Sequence, residues 1–140
     1  MLKNIPPIIS PELLKILCEM GHGDEIVIGD GNFPAASNAE RLIRMDGHGV
    51  PEILDAVLKL IPLDTYVESP AMLMATTQGD PTPEIWAKYE KIITENNGET
   101  NISQIERFKF YERTRDAYAV IATSESALYA NIILKKGVVK

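Results

Sequence analysis

Two short runs place groups that could move protons or grip a ligand where packing alone has little use for them. In Gly21-His22-Gly23 an imidazole stands between two glycines, and in Gly29-Asp30-Gly31 a carboxylate is framed the same way. Glycine fills no core and loses more backbone freedom on folding than any other residue. Flanking His22 and Asp30 with it points to side chains presented to something. Imidazole is the side chain best suited to give and take a proton near neutral pH. Each residue also has a plainer reading. His22 can satisfy the carbonyls of a helix that ends before it, and Asp30 can close an Asx-turn in its own loop.

Arg107, Tyr111, Tyr129 and Asn131 add a planar donor fork, two phenols and an amide. Tyrosine stacks on sugar faces and hydrogen-bonds through its hydroxyl, while asparagine both donates and accepts. Arg107 could instead be a surface charge, Tyr111 a core-edge aromatic and Asn131 a turn residue. Asn131 fits that alternative least, because it opens a predicted strand, where asparagine is depleted.

Other chemistries find no support. His48, in "DGHGVPE", immediately precedes a helix, and a loop or near-cap role suffices for it. Two histidines and a single cysteine give no zinc spacing, so no metal is expected. "GDGNFP" lacks dinucleotide-binding spacing, and neither a P-loop nor a G-x-S-x-G elbow is present. A net charge of −6 argues against nucleic acid, and the basic "LKKGVVK" reads as a solvated tail.

Cys18 has no internal partner, which fits a reducing compartment, and within an amphipathic segment it reads as a buried thiol. No apolar run approaches the ~18–20 residues needed to cross a bilayer. "MLKNIPPIIS" lacks the features of a signal peptide, so no membrane partner and a cytoplasmic location are expected.

The elements that must hold these residues follow from caps and periodicity. Ser10-Pro11-Glu12 starts a helix carrying Leu13, Leu14, Leu17 and Met20, with Gly21 as its left-handed stop. His22 then lies just past a helix end. Ile26 to Ile28 reads as a buried strand, with Asp30 where it runs out. The stripe Val50, Ile53, Leu54, Val57, Leu58 and Ile61 predicts a helix over 50–61, closed by Pro62.

"AMLMATT" (71–77) predicts a strand, and Thr82-Pro83-Glu84 opens a helix that runs to Asn97-Gly98. Trp86 and Met72 read as core. In "ERFKFYERTRDA" Phe108 and Phe110 alternate like a strand, whereas Phe108, Tyr111 and Arg115 recur like a helix; a helix from about 106 is the preferred reading, and strands at 118–123 and 129–135 complete the chain. Strands alternating with helices over 140 residues predict one α/β layered domain, 1–140, with a largely parallel sheet flanked by helices.

Three separated stretches, "ISPELLKILCEMGHGDEIVIGDGNFPA", "RFKFYER" and "YANIILKKGV", resemble the ribose pyranase/fucose mutarotase family. The "MGHGDE…D…NFPA" block with "FYER" points to its L-fucose mutarotase branch. The resemblance implies an isomerase that needs no cofactor and interconverts the α and β anomers of free L-fucose by acid/base ring opening and closure. It implies His22 as proton donor and Asp30, Arg107, Tyr129 and Asn131 as sugar-binding positions, with Tyr111 beside them.

It also implies a ring-shaped homo-oligomer, commonly a decamer of two pentamers, with sites near subunit contacts. Ala130 stands where some members have glycine, and Asn32 where others have histidine. A D-ribose pyranase, exchanging pyranose and furanose rings, and a non-catalytic sugar-binding module are the alternatives. Glycines around His22 and Asp30 would leave room for a ring whose groups move during the reaction.

Overall fold

Alternating side chains along the central strand decide the layering. A computed structural model describes all residues from Met1 to Lys140. Its elements run in the order α1 (Pro11–Glu19), β1 (Glu25–Gly29), α2 (Ala35–Asn38), β2 (Leu42–Met45), α3 (Val50–Leu58), β3 (Ala71–Met74), α4 (Ile85–Asn97), β4 (Ile102–Ile105), α5 (Arg107–Asp116), β5 (Ala119–Thr123) and β6 (Ile132–Lys135).

One six-stranded sheet, ordered β2-β5-β1-β6-β3-β4, carries them all. Ile26 and Ile28 of β1 face a core built with α1, α3 and α4, from Leu13, Leu17, Ile53, Leu54, Val57, Tyr89 and Ile93. Val27 points the other way, into a smaller core with Phe33, Phe110 and Ala117. Successive strand residues serve opposite faces, so β1 must be apolar throughout. β5 and β6 repeat the alternation, with Ile121 and Ile132 on the first face and Val120 and Ile133 on the second. No helix is long and apolar enough to cross a membrane.

β1, β2 and β5 pair in parallel, as do β3 and β4, whereas β6 runs against both β1 and β3. The sheet is therefore largely parallel with one reversed strand inside it. The reversal brings the residues preceding β6 to the carboxyl ends of β1 and β3. Ile28 pairs with Ile132 and Leu73 also pairs with Ile132, so Asp30, Asn131 and the loop after Met74 converge.

Several boundaries differ from the sequence reading, for local reasons. α1 ends with Met20 already extended, and Gly23, at φ 89°, supplies the left-handed residue instead of Gly21. Cys18 lies on the outer face of α1 and is exposed, not buried. α4 begins at Ile85 through a tight turn, with the Trp86 amide donating to the Pro83 carbonyl, and Thr82 does not cap it. β6 begins at Ile132, because Tyr129 is left-handed at φ 54° and cannot continue a ladder. β2 and β4 are short edge strands with mixed burial, and α2 is a single turn, so none of them carries a periodic signal.

The glycines framing Asp30 answer to packing. The Phe33 ring lies where a Gly29 side chain would be, 2.7 Å from that Cβ position. The Gly31 amide donates to the Glu125 carbonyl at 2.8 Å, and a Cβ on Gly31 would stand 3.0 Å from that oxygen. Neither glycine opens space for a ligand; they let the chain fold back on itself. Gly29→Ala should destabilise the protein by about 1–3 kcal/mol through overpacking against Phe33. Urea unfolding measures it, and an unchanged midpoint would mean that the ring can move aside at no cost.

Candidate active site

Asp30 leaves the end of β1 into a set of fixed donors. Its amide donates to Asn131 Oδ1 at 2.7 Å. Its carboxylate accepts the Asn32 amide at 3.0 Å and the Ala130 amide at 3.3 Å. The Asx-turn is thus real, and the same side chain also ties the loop to the start of β6. Burial pushes the Asp30 carboxyl above its usual range, and the amide donors partly offset this. Asn131 is itself buried, and its Nδ2 reaches the Met74 sulfur at 3.7 Å.

The segment 129–131 is held at every carbonyl that faces inward. Trp86 Nε1 donates to the Tyr129 carbonyl at 2.8 Å, and the Tyr89 hydroxyl donates to the Ala130 carbonyl at 2.7 Å. These bonds hold Tyr129 in a left-handed conformation that costs a side-chain-bearing residue about 1–2 kcal/mol. Ala130 has no positive φ, so alanine sits there without backbone strain.

Glu106 opens α5 by accepting the amides of Phe108 and Lys109, and these bonds hold its carboxyl below the usual range. The cap puts Arg107 in the first turn with Tyr111 one turn later. Arg107 Nε donates to the Tyr111 hydroxyl at 2.8 Å, which leaves both terminal nitrogens of the fork available. Tyr111 packs against Phe33, with ring centroids 5.7 Å apart.

Asp30, Arg107, Tyr111, Tyr129 and Asn131 line one cleft of about 280 Å³. That suits a compact ligand, since pockets for larger molecules run to ~1,000 Å³. Its remaining walls are Asn32, Phe33, Met74, Thr77 and Leu128. The sequence reading missed Thr77 and its neighbour Asp80. The Thr77 hydroxyl lies 2.8 Å from the Tyr129 hydroxyl, which also donates to Asp80. The signal was Gly79-Asp80-Pro81, a turn sequence directly after a strand. No group of three or more His, Cys, Asp or Glu side chains is arranged to hold a metal ion.

His22 is elsewhere. It precedes β1, whereas Asp30 follows it, and the strand between spans about 13 Å at the usual rise per residue. His22 Nε2 lies 3.0 Å from Oδ1 of the buried Asp64, and its ring stands 5.2 Å from that of Tyr66. The Tyr66 amide and the His22 ring together hold the Asp64 carboxyl below its usual range. The Gly23 amide donates to the Lys136 carbonyl, which fixes the loop to the far end of β6. His48 pairs with Glu52 across the start of α3, as a near-cap residue would.

Fold and cleft together define a small α/β protein with a compact polar and aromatic cleft at the carboxyl ends of its strands. The chain belongs to the RbsD / FucU transport protein family, whose sequence pattern matches residues 3–139. It is 52% identical to the fucose mutarotase of Homo sapiens, over 98% of this chain and 94% of that one. The crystal structure of the Streptococcus pneumoniae fucose mutarotase in complex with L-fucose matches with a TM-score of 0.95 at 54% identity, covering 99% of this chain and 100% of that one. Bacillus subtilis RbsD complexed with D-ribose matches with a TM-score of 0.78 at 26% identity, over 100% of both chains.

Because its carboxyl is held low, Asp64 contributes stability in full above the ordinary carboxylate range. That contribution is lost as pH falls through its lowered value. The stability advantage of the wild type over Asp64→Asn, followed by urea unfolding against pH, should therefore shrink in acid. A difference that stays constant with pH would mean that the Asp64 charge adds nothing.

Proposed function

We propose that residues 1–140 form one L-fucose mutarotase domain, a cofactor-independent isomerase that exchanges the α and β anomers of the free sugar. The observation that carries this reading is the cleft itself. Asp30, Arg107, Tyr111, Tyr129 and Asn131 surround one space in a chain 54% identical to a fucose mutarotase crystallised with L-fucose. Mutarotation removes the proton of the anomeric hydroxyl and protonates the ring oxygen. The C1–O5 bond breaks, the aldehyde turns, and the ring closes on its other face. The chemistry needs an acid and a base near neutrality, with polar groups that fix the hydroxyl pattern.

His22 is the proton donor in this reading, and a second copy of the chain supplies it. Its end of the sheet exposes Tyr66, Val67, Val138 and Val139, while the cleft end exposes Phe108 and Leu128. Two unlike apolar patches at opposite ends favour head-to-tail contact, which closes into a ring when the rotation permits. A decamer of two pentameric rings accommodates this arrangement, and the free Cys18 fits a cytoplasmic setting.

NMR saturation transfer between the anomers of L-fucose, galactose and ribose tests the activity. Sugar binding without exchange would leave a binding module, and ribose ring exchange alone would leave a pyranase. His22→Ala should keep its assembly and bind L-fucose, with anomer exchange lowered by about 10²–10⁴-fold. His22→Gln should be nearly as inactive. Mixed assemblies of His22→Ala and Asp30→Asn should recover exchange at about one site in four, because each site draws on two copies. Undiminished exchange in folded His22→Ala would remove the residue from the reaction.

Arg107→Ala should weaken L-fucose binding by about 1.5–3 kcal/mol, the usual loss for a hydrogen bond from a charged donor, with little change in unfolding. Loss of folded protein instead would make Arg107 a structural residue.

A further inference from the structure

Thr77 to Asp80 form a tight turn two residues beyond the end of β3, in which the Asp80 amide donates to the Thr77 carbonyl at 3.1 Å and Gly79 takes φ 93°. The turn swings the Asp80 carboxylate back over Thr77. Asp80 Oδ2 accepts the Thr77 hydroxyl at 2.9 Å and also the Tyr129 hydroxyl. Thr77 and Tyr129 line the cleft, whereas Asp80 stands behind them, in the wall of a neighbouring depression. The Tyr129 hydroxyl thus donates to Asp80, and its oxygen accepts only the Thr77 amide, at a long 3.4 Å that an incoming hydroxyl proton from the cleft can displace.

We propose that Asp80, acting through Tyr129, is the base relay that takes up the proton of the anomeric hydroxyl. The proposal rests on the mutarotase reading. On ring opening the O1–H bond breaks and its proton passes to Tyr129 Oη, as the phenol's own proton passes to Asp80 Oδ2. The O1–H electron pair becomes the second bond of C1=O1, the C1–O5 bond breaks, and O5 takes the proton of the acid. Ring closure on the other face returns every proton, so the cycle leaves no net change.

Burial makes Asp30 the more basic carboxylate, and the two hydroxyl donors hold Asp80 below its usual range, but the partners of Asp30 suit a passing proton less well. Both Asp30 oxygens accept backbone amides, so a proton arriving there would set donor against donor in the loop that forms the cleft. Both bonds to the Asp80 side chain come from hydroxyls, which can turn to suit either protonation state. Asp80 thus positions and discharges Tyr129, and Tyr129 is the residue that would touch the sugar.

The test compares Asp80→Asn, Asp80→Glu, Tyr129→Phe and the Asp80→Asn/Tyr129→Phe double variant for L-fucose affinity and for exchange at saturating sugar. Asp80→Asn keeps a partner for the phenol but cannot take a proton. Its exchange should fall by about 10²–10⁴-fold. Its dissociation constant should change less than about threefold. Asp80→Glu should recover part of the rate, and the double variant should be no slower than either single, because the two act as a unit.

Tyr129→Phe leaves the Thr77–Asp80 turn intact and gives the same answer should Asp80→Asn fail to fold. Exchange in Asp80→Asn or Tyr129→Phe within about threefold of wild type would overturn the relay. So would affinity and rate falling together without rescue by glutamate, the mark of a loop clamp. A wild type that binds L-fucose without exchanging it would instead overturn the mutarotase reading beneath the proposal.

Discussion

One buried hydrogen bond, from the Asp30 amide to the Asn131 side chain, holds together the two chain segments on which the cleft depends. It exists because β6 is reversed. A sixth parallel strand would start at the opposite end of the sheet and carry Tyr129 and Asn131 away from Asp30. The reversal lets a single loop lie across the carboxyl ends of β1 and β3, where ligands collect in α/β folds. The reciprocal bond, from the Ala130 amide to the Asp30 carboxylate, makes the junction two-sided. A side chain and a backbone amide from each segment serve the other, so neither segment can shift without leaving a buried donor unpaired.

Around that junction the protein spends aromatic side chains on the backbone. Trp86 and Tyr89 reach from α4 to the carbonyls of Tyr129 and Ala130, so the helix that builds the larger core also sets the cleft wall. The Tyr89 hydroxyl is buried near Glu125 and Asp30, and all three effects push it above its usual range and keep it a donor. On the other face, Phe33 and Phe110 pack edge to face beneath Tyr111. The floor of the cleft is therefore continuous with both cores.

What could be read beforehand followed the strength of periodic signals. β1, α3 and β5 announce themselves through burial patterns or caps, and the structure has them close to where those patterns put them, whereas the stretch that becomes α5 fits strand and helix alike in sequence. The convergence of Asp30, Arg107, Tyr111, Tyr129 and Asn131 was legible as a set of residue types and as a family resemblance. What placed them together, the reversed β6, leaves no trace in local sequence. Thr77 and Asp80 were missed because a turn after a strand looks alike whether or not it aims a carboxylate. The glycines of Gly29-Asp30-Gly31 were misread for a related reason. Absence of a side chain looks the same whether a ligand or Phe33 fills the space.

His22 and the cleft stand at opposite ends of β1, and that separation bears on how such a protein is controlled in a cell. On the proposed assignment a correctly folded chain is inert by itself, and function appears only when copies meet. Output then rises more steeply than in proportion to the amount synthesised, until assembly is complete. Expression level becomes a switch as well as a supply, with no regulatory ligand and no second gene product required.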